Sequence, residues 1–229
     1  MKFYYTDRNG GASAAPFATF NLSHHVGDDP LAVAKNREAL ATKVEVAPAK
    51  LFFMDQVHGT EIALIDKDSD PSISPTVDAL ITRELNYGLA VMFADCAPLL
   101  LSSKQVSAAV HVGRKGLLAD IVDKVVTQMR DMGAIGISAQ VGPTICGKCY
   151  EVSEEMRDQA EDFMPIAASQ TRRSTPSIDI PKAIISILSN AQIPGKWNGV
   201  CTHEDQSFFS YRRDKLTGRQ AGVVVHGRR

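Results

Sequence analysis

Residues 91–116 read VMFADCAPLLLSSKQVSAAVHVGRKG. Two apolar runs lie in this stretch, and Asp95 is the one charge inside them. Such runs predict interior strands covered on both faces, not strands with one side in water. Each run delivers one reactive side chain at its edge, Cys96 from the first and His111 from the second. Gly113, Arg114, Lys115 and Gly116 follow the histidine directly. A glycine turn leading from strand to helix exposes the first backbone N–H groups of that helix, which favours a phosphate or carboxylate. Arg114 and Lys115 add charge there; a solvated basic turn is the plainer alternative. The G-x-x-x-x-G-K-[ST] spacing of a Walker A loop is missing.

Outward from this core, GDDPLAVAKNREALATKV predicts a helix capped by Asp28 or Asp29, with Pro30 in its first turn. KLFFMDQVHGTEIALID predicts two short strands around Gly59, and VDALIT another. KGLLADIVDKVVTQMRDMG predicts one long helix, with Leu117, Leu118, Ile121, Val122, Val125 and Met129 as its stripe and Gly133 as its stop. ISAQVGP predicts a strand, SEEMRDQAEDFM and DIPKAIISILSNAQI helices, and GVCT, SFFSYRR and GRQAGVVVHG closing strand and loop segments. Strands and helices mix without regular alternation, so the expected class is α+β, a single-domain mixed-sheet α/β sandwich over residues 1–229. No linker forces a domain boundary.

The bulk properties exclude several classes. With 229 residues, 44% of them apolar, the chain can bury a sizeable core. A net charge of −1 argues against a dedicated nucleic-acid binder. No apolar run approaches the ~20 residues of a membrane helix, and no signal-peptide pattern follows Lys2. A cytoplasmic protein without membrane or nucleic-acid partners is expected, and a monomer. Four cysteines without a secretion signal do not make a disulfide framework.

Six histidines are present, and His58 and His111 each stand at an apolar strand end just before a glycine turn. With Cys96 they form a His/Cys/His set suited to zinc, whose three-ligand sites leave a fourth position open. A buried thiol with two satisfied histidines is the alternative. Arg212, Arg213 and Arg219 form a second cationic cluster beside Phe208, Phe209 and Tyr211, able to grip an anion and to wall an aromatic base. Cys146 and Cys149 have C-x-x-C spacing on a strand-to-helix path, which also suits redox chemistry. A structural zinc site needs a second pair, and outside Cys96 only Cys201 remains.

Seven segments in order, NLSHHVGDDP, QVHGTEI, VDALIT, FADCAPLLL, AAVHVGRKGLL, GPTICGKCYEV and FFSYRRDKLTGRQAGVV, resemble the YfiH-like, laccase-domain proteins over nearly the whole chain. The resemblance implies a fold shared with the cytotoxic necrotizing factor catalytic domain. It implies a metal on His58, Cys96 and His111, with zinc favoured; a soft thiolate plus imidazole set can also bind copper in vitro. It implies a purine nucleoside phosphorylase with adenosine deaminase and methylthioadenosine phosphorylase side activities, whose partners are purine nucleosides and phosphate. Arg8 of the TDRNGGAS segment, Asn21, Arg114, Arg212 and Arg213 become the expected substrate or phosphate contacts. Asp95 joins Cys96 and His111 as a catalytic candidate, a ligand orienter or proton carrier, with a turn carboxylate as its alternative. Two departures stand out. Arg114 replaces a tryptophan common in relatives, which alters the wall of the substrate site, and the cysteines of GPTICGKCYEV differ from the family's, which argues against a fixed metal set in that loop. A metal-free cysteine hydrolase using Cys96 and His111, a copper polyphenol oxidase and a metal-stabilised nucleoside-binding protein remain the competing readings.

Overall fold

The apolar run from Gly88 to Ser102 breaks at Ala94–Cys96, and its two halves enter different sheets. That crossing organises the computed structural model, which describes residues 3–227. In chain order the elements are β1 (Phe3–Tyr5), α1 (Pro30–Lys43), β2 (Leu51–Phe52), β3 (Ile62–Ile65), β4 (Ala79–Thr82), β5 (Gly88–Phe93), β6 (Ala97–Ser102), β7 (Ser107–Val112), α2 (Arg114–Leu118) and α3 (Ile121–Asp131). They continue with β8 (Ser138–Val141), α4 (Glu154–Phe163), β9 (Ala168–Gln170), β10 (Pro176–Ile178), α5 (Ile180–Asn190), β11 (Gly195–Trp197), α6 (Tyr211–Asp214) and β12 (Gln220–Val225).

A four-stranded sheet has the order β1-β12-β5-β2 and a six-stranded sheet the order β11-β8-β6-β7-β4-β3, both mixed. Alternation along each strand then assigns the layers. Leu89 and Val91 of β5, Leu100 of β6, Ala109 of β7 and Val224 of β12 share one core between the two sheets. Ala90, Met92, Val223 and Val225 face the other way and pack with Leu40, Ala41 and Val44 of the α1 region. Leu99, Leu101, Ala108 and Val110 face outward against α3 and α5 through Val122, Val125, Met129, Ile184 and Leu188. The order is therefore helix, small sheet, large sheet, helices. Both faces of β5, β6 and β7 are covered, which is why their sequences are unbroken apolar runs.

The expected α+β class in mixed sheets holds, and so does the α1 cap, where the Asp29 side chain accepts from Leu31 N and Pro30 opens the helix. The long helix expected from Lys115 to Met132 is two. It breaks at Asp120, which adopts a left-handed backbone (φ 64°), leaving α2 only five residues. The apolar stripe runs across the break, because Leu117 and Ile121 bury into the same core. SFFSYRR forms a loop and the short α6, and GVCT contributes one isolated bridge, Thr144 to Cys201. β1, β9, β10 and β11 were not anticipated; three residues each carry too little periodicity to be read. Among the described residues no helix is long and apolar enough to cross a membrane.

Candidate active site

Strand register builds the site. β4 pairs with β7 as Ala79 to Val110, and the next position along brings Asp78 opposite His111. His111 N donates to the Asp78 carbonyl at 2.8 Å, and His111 Nδ1 meets Asp78 Oδ1 at 2.7 Å. β6 pairs with β7 as Ala97 to Val112, which sets Cys96 beside Gly113. His58 comes from the loop between β2 and β3 with a left-handed backbone (φ 62°), a conformation disfavoured for a non-glycine residue. The fully buried Asp78 holds that turn as well: its carboxylate accepts from the N–H groups of Val57 (3.3 Å), His58 (2.9 Å) and Gly59 (2.6 Å). One carboxylate thus orients both histidines.

The outcome is a tight cluster. His58 Nε2 lies 3.8 Å from Cys96 Sγ, and the two imidazoles meet edge to face with centroids 4.7 Å apart. The ligand atoms of His58, Cys96 and His111 all lie within 4.8 Å of one another. Gly113 is required by this closeness, because a Cβ there would stand 2.8 Å from His58 Cδ2 and 3.3 Å from Cys96 Sγ.

Burial by itself would raise the Cys96 thiol, but the facing His111, with His58 behind it, brings it down to about 6. Burial by itself would lower His111, yet the Cys96 thiolate and the Asp78 carboxylate carry it up to about 9. Asp78 is held below the usual carboxylate range: its burial is outweighed by the hydrogen bonds from His111 and the Gly59 and His58 amides. The two shifts run in opposite directions and together favour a thiolate–imidazolium pair over a thiol and a neutral ring. These donors fit zinc: two imidazoles and one thiolate, with the far nitrogen of His111 fixed by a carboxylate.

A cleft of about 350 Å³ opens over the cluster, and His25, Gln56, Phe93, Tyr211 and Arg219 line it with the three donors. Tyr211 is exposed and lines the cleft, with Arg219 over its ring at 5.9 Å, whereas Phe209 is fully buried. Half-buried Arg219 donates to the Thr217 and Gly218 carbonyls at 2.8 and 3.0 Å and lines the cleft.

The other residues singled out in the sequence fall in varied places. Asp95 (φ 103°) does not touch the donors. Its carboxylate accepts from Thr202 Oγ1 (2.8 Å), Ser210 Oγ (2.7 Å) and Arg212 N (2.6 Å), so it ties the turn carrying Cys96 to the segment before β12. A proton-carrier role for Asp95 is thereby set aside in favour of positioning. Arg213 is held as a structural clamp, since all three guanidinium nitrogens are engaged, on the Thr202 and Phe208 carbonyls and on Asp214. Asn21 is equally committed: its amide donates to the Ser23 carbonyl and Asp28, and its oxygen accepts from Ser23 N and Arg219 N. Arg8 lies over the Phe209 ring at 4.9 Å, donates to the Ala18 carbonyl, and is not among the residues lining the cleft. Arg212 lies over the Tyr150 ring at 5.0 Å. Its guanidinium donates to the Glu151 carbonyl and lines a different cleft, with Lys148, Cys149 and Arg172. Burial raises the Tyr150 phenol, the charge of Cys96 adds to that rise, and Arg212 and Arg114 oppose it. The helix-start anion site after Gly113 loses its basis, because α2 is too short to carry a dipole of consequence.

Asp78 was missed as a site residue. It stood inside VDALIT, one position before an apolar strand, and only the β4–β7 pairing reveals what it faces.

Comparison with known proteins identifies the family. Residues 2–227 match the family described as multi-copper polyphenol oxidoreductase laccase. The chain is 43% identical over 232 residues to a purine nucleoside phosphorylase of Streptomyces coelicolor, covering 97% of this chain and 94% of that protein. It is 41% identical over 226 residues to a purine nucleoside phosphorylase of Corynebacterium glutamicum, covering 96% and 92%. The crystal structure of the Bacillus licheniformis protein YfiH superposes with a TM-score of 0.89 at 27% identity, covering 97% of this chain and 91% of that one. The chain belongs to this laccase-like, YfiH-type family.

Proposed function

We propose that this family member is a zinc-dependent purine nucleoside phosphorylase acting on adenosine, inosine, guanosine and methylthioadenosine, with adenosine deaminase as a side activity. The observation that carries the reading is the convergence of His58, Cys96 and His111 at the floor of a cleft with an exposed aromatic ring and a cation on its walls. The names of the relatives give the reaction class.

In phosphorolysis a phosphate oxygen bonds to C1′ of the ribose while the C1′–N9 bond breaks, and the departing purine takes up a proton. The products are free base and ribose 1-phosphate. His58, Cys96 and His111 would hold the metal, with Asp78 fixing the ring of His111. Bound there, zinc supplies Lewis-acid polarisation of a phosphate or ribose oxygen and acidifies a water to a pKa of about 7. Arg219 offers its guanidinium to phosphate from the cleft wall, and Arg114 and Arg212 add positive charge felt at Tyr150. Tyr211 offers a face on which the purine stacks. Most of the rate gain then comes from holding phosphate and ribose in line and from charge complementary to the cationic ribosyl group.

The test is a chromatographic assay of zinc-loaded protein with adenosine and inosine, with and without phosphate. Phosphate-dependent release of base and ribose 1-phosphate is expected, with some inosine formed from adenosine. No base release at high enzyme concentration sinks the reading.

One observation favours a second reading. Asp78, His111 and Cys96 form a chain of carboxylate, imidazole and thiolate, the order used by cysteine hydrolases. Chelation separates the two: it abolishes zinc-dependent phosphorolysis and leaves a metal-free thiol hydrolase active.

A further inference from the structure

We infer that the chain has a second zinc site, built from Cys146, Cys149, Cys201 and Glu204 and separate from the site over His58, Cys96 and His111. The sulfurs of the three cysteines and a carboxylate oxygen of Glu204 all lie within 4.8 Å of one another. This set answers the arithmetic that C-x-x-C alone leaves open, and it runs against the expectation that the GPTICGKCYEV loop carries no fixed metal set, because two of the four donors come from outside that loop. Cys201 returns from 52 positions beyond Cys149, and Glu204, three residues later, supplies the fourth donor.

Local geometry suits a metal. Cys149 N and Tyr150 N both donate to the Cys146 carbonyl, at 2.9 and 3.0 Å, so Cys146–Cys149 forms a tight turn that turns both sulfurs to one side. Gly147 sits inside that turn, where a Cβ would stand 2.7 Å from the Asp179 side chain. The amide of Cys146 donates to Cys201 Sγ at 3.4 Å, the kind of N–H contact that supports a thiolate ligand. Cys149 Sγ and Glu204 Oε1 are 3.3 Å apart. Around a tetrahedral zinc with Zn–S of about 2.3 Å and Zn–O of about 2.0 Å, a sulfur–oxygen edge is about 3.5 Å. Arg172 pairs with Glu204 and reaches Cys149 Sγ at 3.6 Å, which offsets the net negative charge of three thiolates and a carboxylate around a dication and orients the carboxylate. The thiols lose their protons to solvent as the metal enters. Three soft sulfurs with one oxygen in a closed tetrahedral set select zinc over magnesium or calcium.

The site has a mechanical consequence. It joins the loop after β8 to the segment before α6, already bridged at Thr144–Cys201. The next residue, Thr202, donates to Asp95, beside the active-site Cys96. The second zinc thus clips together the loops that seat the first.

The experiment measures zinc per chain by atomic emission on the full-length protein, loaded with zinc under reducing conditions and dialysed. Wild type is expected to hold two zinc ions, H58A/C96A one, and C149S/C201S one. With cobalt in place of zinc, H58A/C96A should keep about three quarters of the thiolate-to-metal absorption, since three of the four cysteine sulfurs lie in the second site. A folded H58A/C96A protein that retains no zinc overturns the proposal. So does an intact-mass measurement showing a native disulfide among Cys146, Cys149 and Cys201. The H58A/C96A arm leaves the new site intact and decides even if C149S/C201S does not fold. The C149S/C201S arm reports on the active-site metal alone, so failure of one site is not mistaken for failure of the other.

Discussion

Asp78 is the residue on which the site turns. It binds the ring of His111 and three successive amides at Val57–Gly59, so a single oxygen-to-nitrogen change acts on two ligands at once. Asp78→Asn should weaken zinc binding by roughly 10–100-fold, the usual cost of losing a carboxylate behind a ligating histidine; competition with a chromophoric chelator measures it. The same carboxylate supports the imidazolium that supports the Cys96 thiolate. In zinc-free protein the thiolate forms as pH rises through about 6, so alkylation by iodoacetamide should reach half its plateau rate there, well below the ~8.5 of a free cysteine. Removing the Asp78 charge weakens the imidazolium, and the midpoint moves to higher pH. A midpoint near 8.5 in the unsubstituted chain would dispose of the ion pair. Gly113→Ala tests the closeness of the donors: its Cβ would press on the His58 ring and the Cys96 sulfur. It should cost about 1–3 kcal/mol of stability and lower zinc affinity, read by thermal melting and the same competition assay. Cys96 and His111 were legible because each is a ligand-type side chain at the edge of an apolar run; His58 was legible only as a histidine before a glycine, since it stands in the loop between β2 and β3 and not at the strand end expected for it. Asp78 was not, because a carboxylate before a strand has no meaning until the partner strand is known.

At the scale of elements, α1 shows how a helix can be essential without a strong apolar stripe. Its buried Asn36 faces the N-terminal loop, accepting from Ala12 N at 2.8 Å and donating to Ser13 Oγ and to the Thr19 and Asn21 carbonyls. This one amide fastens the loop that runs under Arg8 to the helix that covers the small sheet. Asn36→Leu leaves several buried polar groups without a partner and should destabilise by about 2–4 kcal/mol, seen as a lower denaturant midpoint with little change in slope. An unchanged midpoint would mean that the loop holds without the helix. The strands bring out the limit of sequence patterns. Both faces of β5 and β6 are buried, so no alternation marks the change of sheet between Phe93 and Ala97. Only Asp95 interrupts the run, and its reason lies more than a hundred residues away at Thr202, Ser210 and Arg212. The break between α2 and α3 was hidden in the same way, because Leu117 and Ile121 keep the helical spacing across Asp120.

For the molecule as a whole, the active site sits where the chain passes from the small sheet to the large one. Cys96 lies on that passage, His111 ends a strand of the large sheet, and His58 comes from the loop that leads from β2 of the small sheet to β3 of the large one. A metal bound to all three therefore joins the two sheets at one end of their shared core, and its removal should be felt globally. A ligand that binds only the folded state, held at 100 times its dissociation constant, adds about 2.7 kcal/mol. For a chain of this size each kcal/mol moves Tm by about 2–4 °C. Zinc at that excess in the active site alone should then contribute about 5–11 °C to the rise in Tm over chelated protein. The triple variant His58→Ala, Cys96→Ala, His111→Ala separates this tie from any metal held elsewhere. It should lose the share of the zinc-dependent rise that belongs to the active site while retaining a cooperative transition, because the core between the sheets is built from Leu89, Val91, Leu100 and Val224 and includes none of the three. If the triple variant shows the full rise of the parent, the stabilising metal is not at the junction of the sheets, and the cleft holds its histidines and thiolate for chemistry alone.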